Sequence, residues 1–173
     1  MQKVVAIAPN PSRAESKGPV KVYDSLYLGS RLDARNVKKL KALGITAVVD
    51  CAPEYKTIDR LIAKQRLLAK HAFIEIDCLK LDLHDDERIL TEFRTHAEKA
   101  IDFINKHCDK NQKVLVYCHL GTSRAAGIVL AYMMRKEDID YSVALGQLRN
   151  LCAGTDQVIL PNMWIEDRLA MWE

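Results

Sequence analysis

The fold of this chain is decided by the stretch Val114-Leu115-Val116-Tyr117-Cys118-His119-Leu120-Gly121-Thr122-Ser123-Arg124. Its first residues form a β-branched apolar run, which predicts a buried strand. Residues 125–134 are apolar on all sides and predict a core helix. We therefore expect Cys118 to lie where a strand ends and a helix begins.

That position suits an anion, because a helix N-terminus has unpaired backbone N–H groups and about half a positive charge. The same charge favours the thiolate form of a cysteine held there, and the amides can bind a phosphate. Arg124 follows Cys118 by six residues, so a tight loop would bring a guanidinium over the bound anion. Gly121 is the loop residue that can take a positive φ without strain. The stretch therefore predicts a cup that binds phosphate.

These residues resemble the Cys-x5-Arg signature of the protein tyrosine phosphatases. The ending Gly121-x-Ser123-Arg124 is similar to that of the dual-specificity branch. The resemblance extends to residues 25–30, 40–50 and 160–162 and covers about residues 20–172. It implies an α/β fold with a central, mostly parallel, twisted sheet of about five strands flanked by helices. We expect a catalytic domain over residues 20–173, preceded by a tail, residues 1–19, that is partly ordered at most.

The resemblance also implies the chemistry. Cys118 would attack phosphorus to give a cysteinyl-phosphate, which water then hydrolyses. Main-chain amides and Arg124 would stabilise the phosphoryl oxygens, so that no metal ion or other cofactor is needed. The predicted substrate-binding residues are His119, Leu120, Gly121, Thr122, Ser123 and Arg124.

A general acid must protonate the departing oxygen of a phosphomonoester. The resemblance implies an Asp on the loop before a long helix, after an alternation of apolar residues, and the stretch Leu81-Asp82-Leu83-His84-Asp85 fits. We choose Asp85, with Asp86 as the second candidate because the register of the loop is not fixed. Either aspartate could instead be the N-cap of the following helix.

Three residues differ from the usual pattern of the family. Tyr117 stands in place of His before the nucleophile, Ala125 in place of Ser or Thr after the arginine, and Leu120 in place of Ala. The hydroxyl missing at position 125 would steady the thiolate as it leaves the phosphoenzyme. These differences predict slower breakdown of the intermediate, while the nucleophile and the arginine are kept.

The expected substrate is a phosphorylated protein carrying phosphotyrosine, phosphoserine or phosphothreonine. Residues 119–123 contain no Lys, unlike family members that bind highly charged inositol phosphates. The alternatives are a weakly active or inactive module that binds phosphoproteins, and a phosphatase acting on phosphoinositides or on the 5′-phosphate of RNA. A rhodanese-like sulfurtransferase is a third and weaker possibility.

Composition and charge set the broad class. The 173 residues and the ordinary proportion of hydrophobic residues predict one globular domain. The net charge of +3 suits anionic substrates but does not predict nucleic-acid binding. No run reaches transmembrane length and no signal sequence opens the chain, so we expect no membrane insertion and a cytoplasmic, and also nuclear, location.

The five cysteines are expected to be reduced thiols. The alternative is that Cys51 or Cys78 forms a disulfide with Cys118 when Cys118 is oxidised.

Periodicity places the remaining elements. We expect a strand or hairpin over 20–28, helices over 33–43, 57–70, 88–107, 141–151 and 161–172, strands over 45–51 and 73–78, and an acidic loop over 79–87. The basic residues of the 57–70 helix predict a solvated surface, with a site for an acidic partner as the alternative.

Overall fold

A single five-stranded sheet forms the centre of the computed structural model, which describes residues 17–68 and 75–172. The strands lie in the order β1-β2-β5-β3-β4. β1 is antiparallel to β2, and the other neighbouring pairs are parallel. Their bounds are β1 Val20–Tyr23, β2 Leu26–Ser30, β3 Ile45–Asp50, β4 Asp77–Lys80 and β5 Lys113–Cys118. The predicted α/β class, the strand number and the mostly parallel sheet are confirmed.

Seven helices cover the two faces of this sheet over the described residues. They are α1 Arg31–Arg35, α2 Val37–Leu43, α3 Thr57–Leu68, α4 Ile89–Cys108, α5 Arg124–Glu137, α6 Tyr141–Cys152 and α7 Met163–Ala170. The hairpin and the helices predicted over 88–107, 141–151 and 161–172 are confirmed to within two residues at each end. Hydrophobic periodicity located these helices because each buries one apolar side against the core.

The middle strand β5 is buried on both sides. Val114 and Val116 face the larger core, which α4, α5, α6 and α7 complete. Leu115 and Tyr117 face the smaller core, which lies against residues of α1, α2 and α3. Successive side chains of a strand point to opposite faces, so one short apolar run serves both layers. This double burial holds the end of β5, and hence Cys118, in a fixed position.

The prediction of a single helix over residues 33–43 is wrong, because two helices, α1 and α2, occupy this region. Asn36 ends α1 and begins α2, and its side-chain oxygen accepts a hydrogen bond from the Lys39 N–H at 3.1 Å. Asparagine competes for backbone hydrogen bonds and favours caps over helix interiors. α1 also begins earlier than expected, because Ser30 and Asp33 form a capping box.

The strand predicted over residues 73–78 is displaced toward the C-terminus. β4 runs from Asp77 to Lys80, and its Lys80 pairs with Asp50 of β3. Strand ends are set by such pairing, which composition does not show, so the predicted acidic loop begins only at Leu81. Residues 73–74, residues 69–70 of the predicted 57–70 helix, and residues 1–16 of the predicted tail lie outside the described residues.

Within residues 17–68 and 75–172, no helix combines the length and the hydropathy needed for a membrane span.

The contact of α5 with α7 gives a test of this packing. A Cβ added at Gly127 of α5 would lie 2.6 Å from Ile165 Cγ2 of α7, whereas one added at Gly146 of α6 would meet nothing within 4 Å. We expect Gly127→Ala to lower the free energy of unfolding by about 1–3 kcal/mol through overpacking. Gly146→Ala should raise it by about 0.5–1 kcal/mol, because alanine favours the helix. Urea unfolding measures both, and equal stability of the two variants would contradict this packing.

Candidate active site

The site is centred on the loop between β5 and α5. Cys118 is the last residue of β5 and Arg124 the first of α5. Both are buried, with exposed fractions of 4% and 6%. The Gly121 N–H donates a hydrogen bond to Cys118 Sγ at 3.2 Å. The structure therefore places the two residues predicted to carry the chemistry at opposite ends of one tight loop.

Three carbonyl groups of the loop bond to groups outside it. His119 O accepts from the Arg31 N–H at 3.2 Å, and Thr122 O from the Leu160 N–H at 2.9 Å. Leu120 O accepts from the Gln157 Nε2 amide at 3.1 Å. These three carbonyl groups are engaged outside the loop, and the Gly121 N–H is directed at Sγ. Such an arrangement of donors suits an oxyanion.

Gly121 is required at its position for two reasons. Its φ is +80°, a backbone conformation that residues other than glycine rarely adopt. In addition, a Cβ there would lie 2.6 Å from Gly29 O, on the neighbouring strand β2, and 2.5 Å from Gln157 Nε2. The predicted role of Gly121 in allowing the tight turn fits this geometry.

Arg124 is held by groups from two other segments. Its Nη1 donates to Glu54 Oε1 at 2.9 Å and to Leu83 O at 3.1 Å, and its Nε lies 4.0 Å from Asp85 Oδ2. Burial alone would lower the pKa of Arg124, but the hydrogen bond and charge of Glu54, with the charges of Asp85 and Cys118, raise it above its ordinary value. The guanidinium therefore stays charged and fixed in orientation. Glu54 was not predicted, because nothing in its local sequence links it to residue 124.

Asp85 lies on the acidic loop beside Arg124 and is 55% exposed. Its Oδ1 accepts a hydrogen bond from Asn162 Nδ2 at 2.9 Å. Asn162 also donates its backbone N–H to Ser123 Oγ at 3.0 Å, and its Oδ1 caps α7 by accepting from the Ile165 N–H. One asparagine thus joins the acidic loop, the phosphate loop and the last helix. In the sequence, Asn162 was part of the family resemblance at residues 160–162 and of the helix predicted over 161–172, and no role in the site was predicted for it.

Asp86 has a different environment. Its carboxylate pairs with the Arg88 guanidinium at 2.6 Å, and the hydrogen bonds from Arg88 lower the pKa of Asp86 to about 2. It is therefore ionised at neutral pH and bound to a residue outside the loop. Neither aspartate is the N-cap of α4, because Arg88 holds that position. Of the two candidates for the general acid, only Asp85 lies within 4.0 Å of Arg124.

The three unusual residues have distinct surroundings. Tyr117 is fully buried in the smaller core, and burial, with the nearby charge of Asp50, raises the pKa of its hydroxyl. Ala125 is also fully buried, whereas Leu120 is 61% exposed at the rim of the loop. Tyr117 is thus a packing residue of the smaller core.

His119, the residue after the nucleophile, is partly buried. The His119 ring stacks on Tyr55 with 4.6 Å between centroids, and burial, together with the charges of Arg31 and Arg124, lowers the pKa of His119.

Cys51 is fully buried, and burial raises the pKa of its thiol well above the ordinary value. All five cysteines are free thiols. Over the described parts of the chain, no three His, Cys, Asp or Glu side chains are grouped so that they could hold a metal ion.

Cys118 and Arg124 lie at the two ends of one loop, between a central parallel strand and a core helix, and an acidic loop lies beside them. This arrangement is typical of protein phosphatases. The family model described as "Dual specificity phosphatase, catalytic domain" matches residues 26–173. The chain therefore belongs to the dual-specificity phosphatase family.

Similar curated proteins carry names from the same family. The chain is 32% identical over 118 residues to human "Protein phosphatase Slingshot homolog 1", an alignment of 68% of this chain and 10% of that protein. It is 29% identical over 147 residues to rat "Dual specificity protein phosphatase 12", covering 83% and 39% of the two chains. The chain thus spans less than half the length of these relatives.

Solved structures show the same fold. DUSP15 aligns with a TM-score of 0.69 and 22% identity, covering 89% of this chain and 86% of that one. The human tyrosine phosphatase-like serine/threonine/tyrosine-interacting protein aligns with a TM-score of 0.65 and 23% identity, covering 90% and 95%.

The close packing of Gly121 can be tested against a second glycine. Gly121 and Gly154 both have positive φ, +80° and +77°, but a Cβ at Gly154 would meet nothing within 4 Å. Alanine at either position should cost about 1–2 kcal/mol of backbone energy. Only Gly121→Ala also displaces the loop, so we expect it to weaken orthovanadate binding by at least about tenfold, while Gly154→Ala binds as wild type does. Titration calorimetry measures this difference, and equal affinities would contradict the proposed loop geometry.

Proposed function

We propose that this chain is a phosphoprotein phosphatase that hydrolyses phosphotyrosine and phosphoserine or phosphothreonine through a cysteinyl-phosphate intermediate. The observation that carries the proposal is that Cys118 Sγ and the fixed guanidinium of Arg124 belong to one loop. Family membership supports the same reaction.

In the first step, the Cys118 thiolate attacks phosphorus, an S–P bond forms and the P–O bond to the substrate breaks. The loop amides and Arg124 stabilise the negative charge of the three remaining phosphoryl oxygens. Asp85 gives its proton to the departing oxygen, so that an alcohol or phenol leaves and not an alkoxide. Its position 4.0 Å from Arg124 supports this role.

In the second step, water attacks phosphorus on the same face that the leaving group vacated. Asp85, now a carboxylate, accepts a proton from this water, the S–P bond breaks and the thiolate of Cys118 is regenerated. Inorganic phosphate is the product. Ala125 offers no hydroxyl to the departing sulfur, so we expect this second step to limit the rate.

A phosphorylated protein is the favoured substrate, and the composition of the loop itself supports this choice. The loop residues 119–123 contain no lysine, and the exposed side chain at the rim is that of Leu120. The exposed Leu120 side chain can contact a peptide chain, whereas residues 119–123 supply no lysine for the additional phosphate groups of an inositol phosphate.

A second function is favoured by Ala125 and Tyr117. If the phosphoenzyme breaks down very slowly, the chain would act as a module that binds phosphorylated partners and rarely turns over. Wild-type protein that binds a phosphopeptide but releases no phosphate beyond one equivalent would support this alternative.

Replacement of the nucleophile tests the proposal directly. We expect Cys118→Ser to lower hydrolysis of p-nitrophenyl phosphate by several orders of magnitude, because serine at this position is a far weaker nucleophile. Cys108→Ser, the same change at the far end of α4, should keep wild-type activity. Phosphate release measures both. Wild-type activity that survives Cys118→Ser would overturn the cysteinyl-phosphate mechanism.

Substrates with different leaving groups show which of Asp85 and Asp86 is the general acid. Asp85→Asn should reduce hydrolysis of a phosphoserine peptide by about 10²–10⁴-fold. Hydrolysis of p-nitrophenyl phosphate should fall much less, because p-nitrophenolate leaves without a proton. Asp86→Asn should change neither rate, since the Asp86 carboxylate is ionised and paired with Arg88. The opposite pattern would assign the general acid to Asp86.

A further inference from the structure

His84, directly before the candidate acid Asp85, is bound to the long helix α4 by one carboxylate. The His84 N–H donates to Glu92 Oε1 at 2.7 Å. The ring atom Nδ1 of His84 lies 3.0 Å from Oε1 and 3.0 Å from Oε2 of the same carboxylate. Glu92 therefore contacts both the backbone and the side chain of His84. Hydrogen bonds to a carboxylate are stronger than those between neutral groups, so this contact can hold the acidic loop.

The contact differs from an ordinary pair of surface charges. The side chains of Glu92 and His84 are only 21% and 30% exposed. On a helix, an acid can pair with a cation three or four residues away, and Arg88 is four residues before Glu92. The Arg88 guanidinium instead binds Asp86 at 2.6 Å. The hydrogen bonds that Glu92 accepts from the described residues all come from His84, so its carboxylate is committed to the acidic loop.

The residues on both sides of His84 are held as well. Leu83 is buried, and its backbone O accepts from Arg124 Nη1 at 3.1 Å. Asp85 Oδ1 accepts from Asn162 Nδ2 at 2.9 Å. Three consecutive residues are thus bound to the first turns or the N-cap of three different helices, α5, α4 and α7. Of the three contacts, the one with α4 can be removed without altering the phosphate loop or the carboxyl of Asp85.

We propose that Glu92 is a positioning residue for the general acid: through His84 it holds the acidic loop so that the Asp85 carboxyl faces the leaving group before substrate binds. The inference rests on the proposed phosphatase function, in which Asp85 protonates the departing oxygen. Glu92 itself neither gives nor takes a proton in this reaction. A catalytic group that is displaced by about 1 Å can lose about 10²-fold in rate, so a fixed loop contributes directly to proton transfer.

The test compares two substrates that differ in their need for the acid. The alkoxide of a phosphoserine peptide must be protonated as it leaves, whereas p-nitrophenolate leaves without a proton. We use kcat/KM, which reports the steps up to and including the break of the P–O bond. In Glu92→Ala, the kcat/KM for p-nitrophenyl phosphate divided by that for the peptide should rise about 10–100-fold above the wild-type ratio. A general loss of active protein cancels in this ratio, and alanine at position 92 favours the helix.

Two further variants separate positioning from charge. Glu92→Gln keeps an oxygen that accepts the His84 N–H but carries no charge, so its ratio should rise by less than about threefold. Glu98→Ala removes an acid from the same helix, one that is 50% exposed and pairs with Arg94 at 3.3 Å, and should keep the wild-type ratio. If Glu92 acted only as a charge near the start of α4, Gln would have the same effect as Ala. That result, or an unchanged ratio in Glu92→Ala, would overturn the proposal.

Hydrogen exchange of the His84 amide follows the loop independently of catalysis. This N–H loses its acceptor in Glu92→Ala, so we expect it to exchange at least about tenfold faster there than in wild type. In Glu98→Ala it should exchange at the wild-type rate. Nuclear magnetic resonance measures all three proteins. Faster exchange in Glu92→Ala without a change in the substrate ratio would also overturn the proposal, because the loop would then be held for a reason other than acid catalysis.

The two measurements together distinguish this inference from the proposed function. If wild type hydrolyses neither substrate while the exchange difference persists, the proposed function fails and the anchoring of the loop by Glu92 stands. If wild type hydrolyses both substrates, and Glu92→Ala matches it in ratio and in exchange, the positioning role of Glu92 alone fails.

Discussion

The rest of the structure depends on the electrostatic field at the carboxyl end of β5. Parallel strands of an open α/β sheet direct their carboxyl ends to one edge, where helices begin with their unpaired N–H groups. Here β5 ends in a sulfur atom and α5 begins with a guanidinium, and residues 119–123 are the whole connection. The loop therefore collects main-chain dipoles and a full positive charge around one atom. The sheet serves to keep that atom still, since β5 is hydrogen-bonded to β2 and β3 on its two sides.

A buried arginine needs negative charge close to it, because an isolated buried cation is costly. Glu54 meets that need in the structure, with Leu83 O as a second acceptor. These contacts leave Nη2 and Nε, apart from the 4.0 Å approach of Asp85, for other acceptors. Glu54 thus holds the guanidinium in one plane, and a bound phosphoryl group would meet a donor that is already oriented. The same acid belongs to the short turn that carries Tyr55, whose ring stacks on His119, so this turn contacts the loop at two places.

The sequence predicted those parts of the molecule that depend on local pattern. The apolar run of β5, the helical period of α4 and the Cys118–Arg124 spacing each reflect a short-range constraint, and the structure has them nearly as expected. It could not predict Glu54 or Asn162 as members of the site, because their roles arise from contacts 70 and 77 residues away along the chain. The division of one expected helix at Asn36 came from a cap that overrides hydrophobic period.

Asn162 connects the C-terminal part of the chain to the candidate general acid, Asp85. Its side chain holds the Asp85 carboxylate through Nδ2 and begins α7 through Oδ1, and α7 is anchored in the core by Ile165 and Leu169. A small shift of that helix would tilt the asparagine and move the Asp85 carboxylate, while Cys118 and Arg124 kept their positions. Substitutions in α7 would therefore change the position of the carboxylate without changing the loop that faces it.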